Sequence, residues 1–323
     1  MKILIIANAR YKGGLSGSDN IYLNFKKHWP ADIDVDEMMS YNYKPFWVCY
    51  LHRILLACIE ALVCWEKYDV VYSASDFLMD SLPAFIMKLK GVKWWAGFYL
   101  FAPKENWKYC ILQKIALFFI RRFADQVFIT NGSMKSGFPN QKTVEVNGGV
   151  DLGLAYTNNV KYKYDVVFVG RIHPTKGIVQ LRHIAELMPD LKIAVIGDGD
   201  LGKEYIEERN CNLLGYMGDE RFNVYRRSKV VIYTTPKEHD HFSMAPVEAM
   251  ACGCPMVAFN IPVMKYIKPQ GTLLADDILD FTYKLRKLVD GENYLALSLQ
   301  AREWALSWDW KYKAVTIWKE ATT

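Results

Sequence analysis

Two basic side chains follow a buried strand near the middle of the chain. The segment 165–177 reads DVVFVGRIHPTKG, so Arg171 and Lys176 come after an apolar run that ends at Gly170. Two cations between the carboxyl end of a strand and the start of the next helix are typical of a phosphate-binding loop. Arg bonds phosphate oxygens in pairs, and Lys adds a compact charge. The glycine spacing excludes a P-loop, and a solvated turn remains the alternative.

A second candidate site lies at residues 238–255, which read EHDHFSMAPVEAMACGCP. We predict a helix that begins after Ser243 and ends before Gly253, because Ser is a favoured N-cap and Gly a favoured stop. The free amide groups of its first turn could bind an anion. Asp240 precedes the helix and Glu248 lies within it, and carboxylates accept hydrogen bonds from ribose or sugar hydroxyls. The pattern fits a ligand that is part anion and part polyol.

These two segments resemble sequence motifs of the retaining GT-B nucleotide-sugar glycosyltransferases. Residues 166–177 resemble V-G-R-x4-K-G, and residues 240–253 resemble E-x7-E followed by E-A-M-A-C-G. The likeness continues along nearly the whole chain, in the family's order and spacing. The further matches are a glycine loop at 13–19, an N-G-V-D-like segment at 147–151, a G-x-G turn at 197–199 and Ser-Trp at 307–308.

The resemblance implies roles for individual residues. Arg171 and Lys176 would neutralise the donor diphosphate and stabilise it as the leaving group. Asp240 would contact the donor sugar and Glu248 would bind the ribose. The other residues implied in donor binding are Gly17, Gly170, Tyr216, Phe242, Ser243, Met244 and Ala245.

The chain departs from the family pattern in two places. Asp240 stands where the family has a Glu with one more methylene, and His241 replaces a Gly. Many relatives also carry a His after the strand that here spans 93–97, whereas this chain has no His between residues 53 and 172. A retaining reaction with front-side attack can pass the acceptor proton to the departing phosphate, so the missing His need not abolish catalysis. The polar candidates for an acceptor contact are Tyr99, Asp19 and Asp76, of which the two Asp residues also fit cap or turn positions.

The elements that position these residues alternate between strand and helix. Apolar runs such as 2–7 and 165–169 lack alternation, as do strands buried on both faces of a parallel sheet. This order predicts an α/β fold of two facing, Rossmann-like, doubly wound domains, and the resemblance implies GT-B. We place an acceptor-side domain at 1–155, a nucleotide-sugar-binding domain at 156–305, and at 306–323 a helix that packs back on the first domain.

Other patterns would indicate different chemistry. Residues 197–202 match the dinucleotide fingerprint G-x-G-x-x-G, but they follow the second strand of their domain and contain two Asp residues. The D-x-D run at 32–36 is typical of metal-dependent transferases and also of a half-exposed strand. His239 and His241 have no Cys or His at partner spacing, so we predict no metal site and no cofactor. The alternatives to a glycosyltransferase are a non-catalytic nucleotide-sugar-binding protein, a nucleotide-sugar epimerase and an oxidoreductase.

Composition and charge exclude some classes and suggest partners. With 51% hydrophobic and 23% charged residues, the chain is neither disordered nor collagen-like. The positive excess concentrates at 85–125, where eight basic and two acidic side chains are interleaved with Trp and Phe. This pattern fits peripheral contact with an anionic membrane, or else a core helix with a solvated basic face. No signature of a nucleic-acid-binding module occurs.

The remaining expectations concern compartment and reaction. No apolar run is long enough to span a membrane, and the apolar N-terminal run is too short for a secretory signal. With seven cysteines, an odd number, we expect a reduced, cytoplasmic protein, at the inner face of the membrane if it binds lipid. The predicted reaction is metal-independent transfer of a hexosyl group, with retention, from a nucleotide sugar to a glycan or lipid-linked acceptor.

Overall fold

The computed structural model describes residues 1–7, 17–38, 46–102, 107–130, 132–157, 161–199, 201, 210–237 and 243–323. The chain divides into two compact units: Met1–Gly148 with Lys311–Thr323, and Gly149–Trp310. The boundary therefore lies a few residues before the predicted one at 155. Its physical cause is a β-bridge between Val150 and Asp309, which ties the start of the second unit to its end.

The first unit contains a six-stranded parallel sheet in the order β2-β1-β3-β4-β5-β6. Its strands are β1 (Lys2–Ile6), β2 (Asp34–Met38), β3 (Val70–Ser73), β4 (Lys93–Phe98), β5 (Gln126–Ile129) and β6 (Lys142–Glu145). Its helices are α1 (Gly17–His28), α2 (Phe46–Val63), α3 (Leu78–Leu89) and α4 (Trp107–Phe123), and a 3₁₀ turn covers Gly132–Gly137. Because β1 and β3 are buried on both faces, they are the continuous apolar runs that the sequence predicts.

Helices cover both faces of this first sheet. Helices α2, α3 and α4 share one core cluster with the strands, to which Ala57, Ala84 and Leu117 contribute one side chain from each helix. On the other face, Trp318 of the last helix packs against Trp29, the residue after α1, and against Trp95 of β4. The predicted return of the C-terminal helix to the first domain is confirmed by this packing.

The second unit contains a six-stranded parallel sheet in the order β12-β11-β10-β7-β8-β9. Its strands are β7 (Tyr164–Val169), β8 (Ile193–Ile196), β9 (Cys211–Gly215), β10 (Ser228–Tyr233), β11 (Met256–Phe259) and β12 (Thr272–Ala275). Its helices are α5 (Ile178–Leu187), α6 (Arg221–Arg226), α7 (Met244–Ala251), α8 (Pro262–Ile267), α9 (Ile278–Val289) and α10 (Tyr294–Leu306), and α11 (Trp310–Thr322) follows. Two doubly wound parallel sheets are what the alternation of strands and helices predicts.

The strand order of the second sheet reverses between β7 and β10, which pair directly. In open α/β sheets, ligands bind outside the carboxyl ends of the strands at such a switch point. The two predicted phosphate-binding segments follow β7 and β10. Among the described residues, no helix combines the length and the hydropathy needed to cross a bilayer.

Candidate functional site

The loop after β7 is a short, capped turn. Beyond Gly170, a 3₁₀ turn covers Pro174–Lys176 and leads into α5. His173 precedes this turn, and its Nδ1 accepts a hydrogen bond from the Thr175 amide at 3.3 Å. The turn places Lys176 at the start of α5, next to the switch point of the sheet.

The loop after β7 is locked to the end of β10. Gly177 has a φ of +80°, and a Cβ built there would lie 1.9 Å from the Thr234 carbonyl oxygen. In return, the Thr234 hydroxyl donates a hydrogen bond of 2.9 Å to the Gly177 carbonyl. The neighbouring Thr235 is fully buried, and within the described part of the chain its hydroxyl has no hydrogen-bond partner. Buried hydroxyls normally have a partner, so we expect this one to bond a ligand or water.

The two cations of this loop influence each other. Arg171 is exposed, whereas Lys176 is partly buried. Burial lowers the pKa of Lys176 to about 8, and the positive charge of Arg171 adds to this lowering. An anion placed between the two side chains would raise the pKa of Lys176 again, because a nearby negative charge favours the charged form of lysine. The arrangement therefore suits a phosphate-bearing ligand.

Two glycines pack the loop after β8 against the loop after β7. A Cβ at Gly197, which has a φ of +143°, would lie 1.9 Å from the Gly170 carbonyl oxygen. A Cβ at Gly199 would lie 2.5 Å from the Ile172 carbonyl oxygen, and the Ile172 amide donates to Asp198. This close packing accounts for the two glycines of the G-x-G turn without a bound dinucleotide. The third glycine of that pattern, Gly202, lies outside the described residues.

Helix α7 carries the second predicted segment. Ser243 occupies the N-cap position with an extended backbone, as predicted, but its hydroxyl makes no capping hydrogen bond. Met244 and Ala245 form the first turn and are partly buried. The helix ends at Ala251 with Cys252 as its C-cap, and Gly253 follows with a φ of +92°, so the predicted stop is confirmed. Asp240 and Phe242 lie outside the described residues.

Glu248, in the second turn of α7, forms an ion pair that the sequence did not reveal. Arg221 Nε donates to Glu248 Oε2 at 2.7 Å, and Arg221 Nη2 donates to Oε1 at 2.8 Å. The Tyr225 hydroxyl donates to Oε2 at 3.3 Å. Arg221 Nη1 donates to the Gly218 carbonyl at 2.8 Å, so one side chain links α7 to the loop after β9. Burial alone would lower the pKa of Arg221, but the hydrogen bonds to Glu248 outweigh this effect, and the pKa of Arg221 is raised.

The other predicted donor residues lie at element ends. Tyr216 follows β9 directly, after Gly215 with its φ of +71°, and its side chain is exposed. Gly17 is the first residue of α1, and the loop before it lies outside the described residues.

The predicted acceptor contacts lie in the first unit, where Asp19 and Asp76 are buried and Tyr99 is partly buried. Asp19 lies in the first turn of α1, which begins at Gly17, so it is not the N-cap. The Tyr99 hydroxyl forms a short hydrogen bond with the Tyr72 hydroxyl, and Tyr72 is fully buried. Asp76 Oδ2 accepts a bond of 2.7 Å from Gln113 Nε2. Burial raises the pKa of Asp76. The Tyr99 hydroxyl and Asp76 thus have partners inside the protein.

Two other predicted patterns have structural explanations. In the D-x-D run, Asp36 and Asp34 lie 3.1 and 3.6 Å from the ammonium group of Lys2, so β2 uses these charges in an ion-pair cluster. Among the described residues, no group of three His, Cys, Asp or Glu is placed to hold a metal ion. In the basic segment 85–125, Trp94, Trp95 and Phe98 belong to the core. Its exposed large apolar residues are Leu89, Leu100, Phe101, Trp107, Ile111, Ile115 and Phe118.

A family model matches the second unit. It covers residues 163–291, and its description is glycosyl transferases group 1. Residues 163–291 form a group 1 glycosyltransferase domain. The loops after β7 and β10, with α7, all lie inside this domain, so the candidate site is part of it.

Curated relatives match part of the chain. The sulfoquinovosyl transferase SQD2 of Arabidopsis thaliana is 28% identical over 183 residues, which are 53% of this chain and 35% of that protein. The O-antigen biosynthesis glycosyltransferase WbnH of Escherichia coli is 25% identical over 171 residues, 51% of this chain and 49% of that protein. A D-inositol 3-phosphate glycosyltransferase of Mycolicibacterium gilvum is 34% identical over 109 residues, 29% of this chain and 24% of that protein. The chain thus spans about half or less of the length of these relatives.

Solved structures match nearly the whole chain. Sucrose-phosphate synthase from Thermosynechococcus elongatus has a TM-score of 0.78 at 15% identity, covering 99% of this chain and 98% of that one. HepE of Anabaena, solved in complex with UDP-glucose, has a TM-score of 0.73 at 16% identity, covering 100% of this chain and 99% of that one. At such identities the likeness establishes the fold alone. The fold is GT-B, as the sequence resemblance implies.

Proposed function

We propose that the chain is a retaining glycosyltransferase that moves a hexosyl group from a nucleotide sugar to a glycan or lipid-linked acceptor. The observation that carries this proposal is the pair Arg171 and Lys176, on a loop locked to β10 at the switch point of a group 1 glycosyltransferase domain. The buried Thr235 hydroxyl, for which the described residues offer no partner, supports a ligand at the same edge.

In this proposal the two cations act on the leaving group. Negative charge grows on the nucleoside diphosphate as the bond to the anomeric carbon breaks. Fixed cations stabilise that growth without having to reorganise. Arg171 is exposed and bonds phosphate oxygens in pairs, while the partly buried Lys176 supplies a charge that water screens less than it screens an exposed lysine. Because side chains supply this countercharge, the proposal includes no metal ion and no cofactor.

The remaining donor contacts follow the resemblance. Glu248 binds the ribose, Tyr216 lies against the base and Asp240 contacts the sugar. The resemblance also assigns Gly17, and the first turn of α7 from Ser243, to the donor phosphates. Gly170 suits a position beside the donor phosphates. A Cβ there would lie 3.6 Å from Lys176 Cβ and would narrow the space next to the lysine.

The acceptor and the compartment are also part of the proposal. The relative SQD2 is named a sulfoquinovosyl transferase and WbnH an O-antigen biosynthesis enzyme. We place the protein in the cytoplasm, where it would meet its glycan or lipid-linked acceptor at the inner face of a membrane. The exposed Trp107 and Phe118, beside the basic residues of α4, support peripheral contact with anionic lipid.

Nucleotide binding tests the donor site. We expect one of UDP, GDP, ADP or dTDP, or its sugar conjugate, to raise the melting temperature. A ligand at 100 times its Kd adds about 2.7 kcal/mol to the free energy of unfolding. Lys176→Ala should weaken this binding by about 1.5–3 kcal/mol, because it removes a charged hydrogen-bond donor. Lys265→Ala, which changes an exposed lysine on α8, is the matched control. A shift with NAD(H) alone, or equal affinity in the Lys176 variant, would contradict the proposal.

A further inference from the structure

The layer of helices on one face of the first sheet carries an exposed apolar surface. Helix α2 buries Ala57 and Ala61 against the sheet, yet most of its exposed described side chains are aliphatic, with His52 and Glu60 among them. Six of its large apolar side chains are between 44 and 69% exposed: Leu51, Leu55, Leu56, Ile59, Leu62 and Val63. Trp65, just past its end, is 94% exposed. Such a surface on a soluble protein normally marks an interaction site.

Helix α4 continues this surface with added positive charge. Helix α3 packs between α2 and α4, and all three helices share one core cluster, so their outer faces belong to the same side of the first unit. Trp107, Ile111, Ile115 and Phe118 repeat at helical spacing along α4 and are exposed. The exposed basic residues among them are Lys108, Lys114, Arg121 and Arg122, and α4 contains no acidic residue.

We propose that this α2–α4 surface, defined by the exposed apolar residues of α2 and α4, docks on an anionic lipid bilayer. Aliphatic side chains enter the boundary between headgroups and acyl chains, Trp residues favour the interface, and Lys and Arg attract anionic headgroups. Each basic side chain near such a surface contributes attraction that falls off within a Debye length. A two-fold contact through α4 would instead bring the positive charges of two copies together, which disfavours a second copy as the occupant.

Vesicle flotation tests the α2–α4 surface. We expect the protein to float with vesicles of phosphatidylglycerol and phosphatidylcholine, and less with phosphatidylcholine alone or at high salt. Leu55→Ser with Ile59→Ser should abolish flotation without loss of fold, because both side chains are exposed. Leu295→Ser with Leu299→Ser, on the exposed face of α10, is the matched control and should float normally.

Two results would overturn the membrane proposal. One is a protein that stays at the bottom of the gradient with anionic vesicles. The other is a dimer, seen by sedimentation at several concentrations, that the α2 variant dissociates while flotation is absent.

A different observation carries a second inference, which rests on the proposed function. Arg221 holds both oxygens of Glu248 with two of its nitrogens and the Gly218 carbonyl with the third. It therefore connects the helix assigned to the ribose with the loop after β9 that carries Tyr216, assigned to the base. We infer that Arg221 is a positioning residue for the nucleoside: it fixes the carboxylate that reads the ribose.

The geometry also limits how Glu248 can read the ribose. A carboxylate offers about four acceptor sites. Arg221 and Tyr225 take two on Oε2 and one on Oε1. The site left on Oε1 accepts one hydroxyl, so removing one of the two ribose hydroxyls should matter more than removing the other.

Deoxyribose analogues test the role of Arg221. We expect the wild type to bind one of the 2′-deoxy and 3′-deoxy forms of its nucleoside diphosphate roughly tenfold or more less tightly than the ribose form. Arg221→Lys keeps the positive charge but not the two paired hydrogen bonds to Glu248. The ratio of the Kd values for the deoxy and ribose forms should therefore come close to one. The affinity of this variant for inorganic pyrophosphate should be unchanged. Arg286→Lys breaks a similar two-bond pair with Asp190 away from the site and is the matched control.

The outcomes distinguish the positioning role of Arg221 from the proposed function. Discrimination that persists in Arg221→Lys, or that Arg286→Lys removes equally, would overturn the positioning role and leave the proposed function standing. A wild type that binds none of UDP, GDP, ADP, dTDP and pyrophosphate would overturn the proposed function itself.

Discussion

Lys176 combines two properties that favour an anionic ligand: it is partly buried, and a second cation lies beside it. The sequence predicts Arg171 and Lys176 as a pair, because both lie in one loop after an obvious buried strand. Arg221 could not be predicted in the same way. It lies 27 residues from Glu248, and the contact exists only once α6 and α7 pack together. Thr235 is likewise apparent only from its burial.

The lowered pKa of Lys176 predicts how donor affinity depends on pH. A nucleotide sugar has no phosphate that titrates near neutral pH, so the lysine dominates the change. Below its free-protein pKa of about 8, Lys176 is charged before and after binding, and Kd should be constant. Above that value, binding must first restore the proton, so affinity should fall by up to about tenfold per pH unit.

Isothermal titration calorimetry on either side of that pKa measures this dependence. The Lys176→Met variant should bind the donor more weakly at every pH. Its plot of log Kd against pH should show no change of slope near pH 8. The same slope in the Lys176→Met variant would assign the titration to another group.

At the scale of elements, the buried strands were predictable, whereas two of the four edge strands were not. Strands β1, β3 and β7 lie between neighbours and have apolar runs, which periodicity detects. The edge strands β6 and β12 were not predicted. Strand β6 reads KTVE, with little apolar character, because one of its sides has no neighbouring strand. An edge strand can be polar and short without losing its place in the sheet.

Helix α2 shows the opposite limit of sequence analysis. A run so rich in Leu, Ile and Val is typical of a buried helix, and charge counting directed attention to 85–125 instead. In the structure, three aromatic residues of that segment, Trp94, Trp95 and Phe98, belong to the core. Helix α2 instead carries six exposed large apolar side chains. Only the packing of α2 against the sheet through small residues such as Ala57 and Ala61 reveals this.

At the scale of the whole molecule, the regular alternation of strand and helix made the fold predictable. Right-handed crossovers between parallel strands allow few arrangements, and the second sheet adopts the order that places β7 beside β10. The boundary between units was less predictable, because it depends on the pairing of Val150 with Asp309 across the length of the second unit. The return of α11 to the first unit followed from the family resemblance.

The most direct test of the central claim is to follow a bound nucleotide sugar by ³¹P and ¹H NMR, with water and then a lipid extract as acceptor. We expect the sugar nucleotide to be converted to free nucleoside diphosphate, with the released or transferred sugar keeping the anomeric configuration of the donor. The Lys176→Ala variant should lose this conversion and the Lys265→Ala control should keep it. A donor that stays intact would indicate a binding protein, and a donor isomerised without release of the diphosphate would indicate an epimerase. Either result would contradict a glycosyl-transfer function.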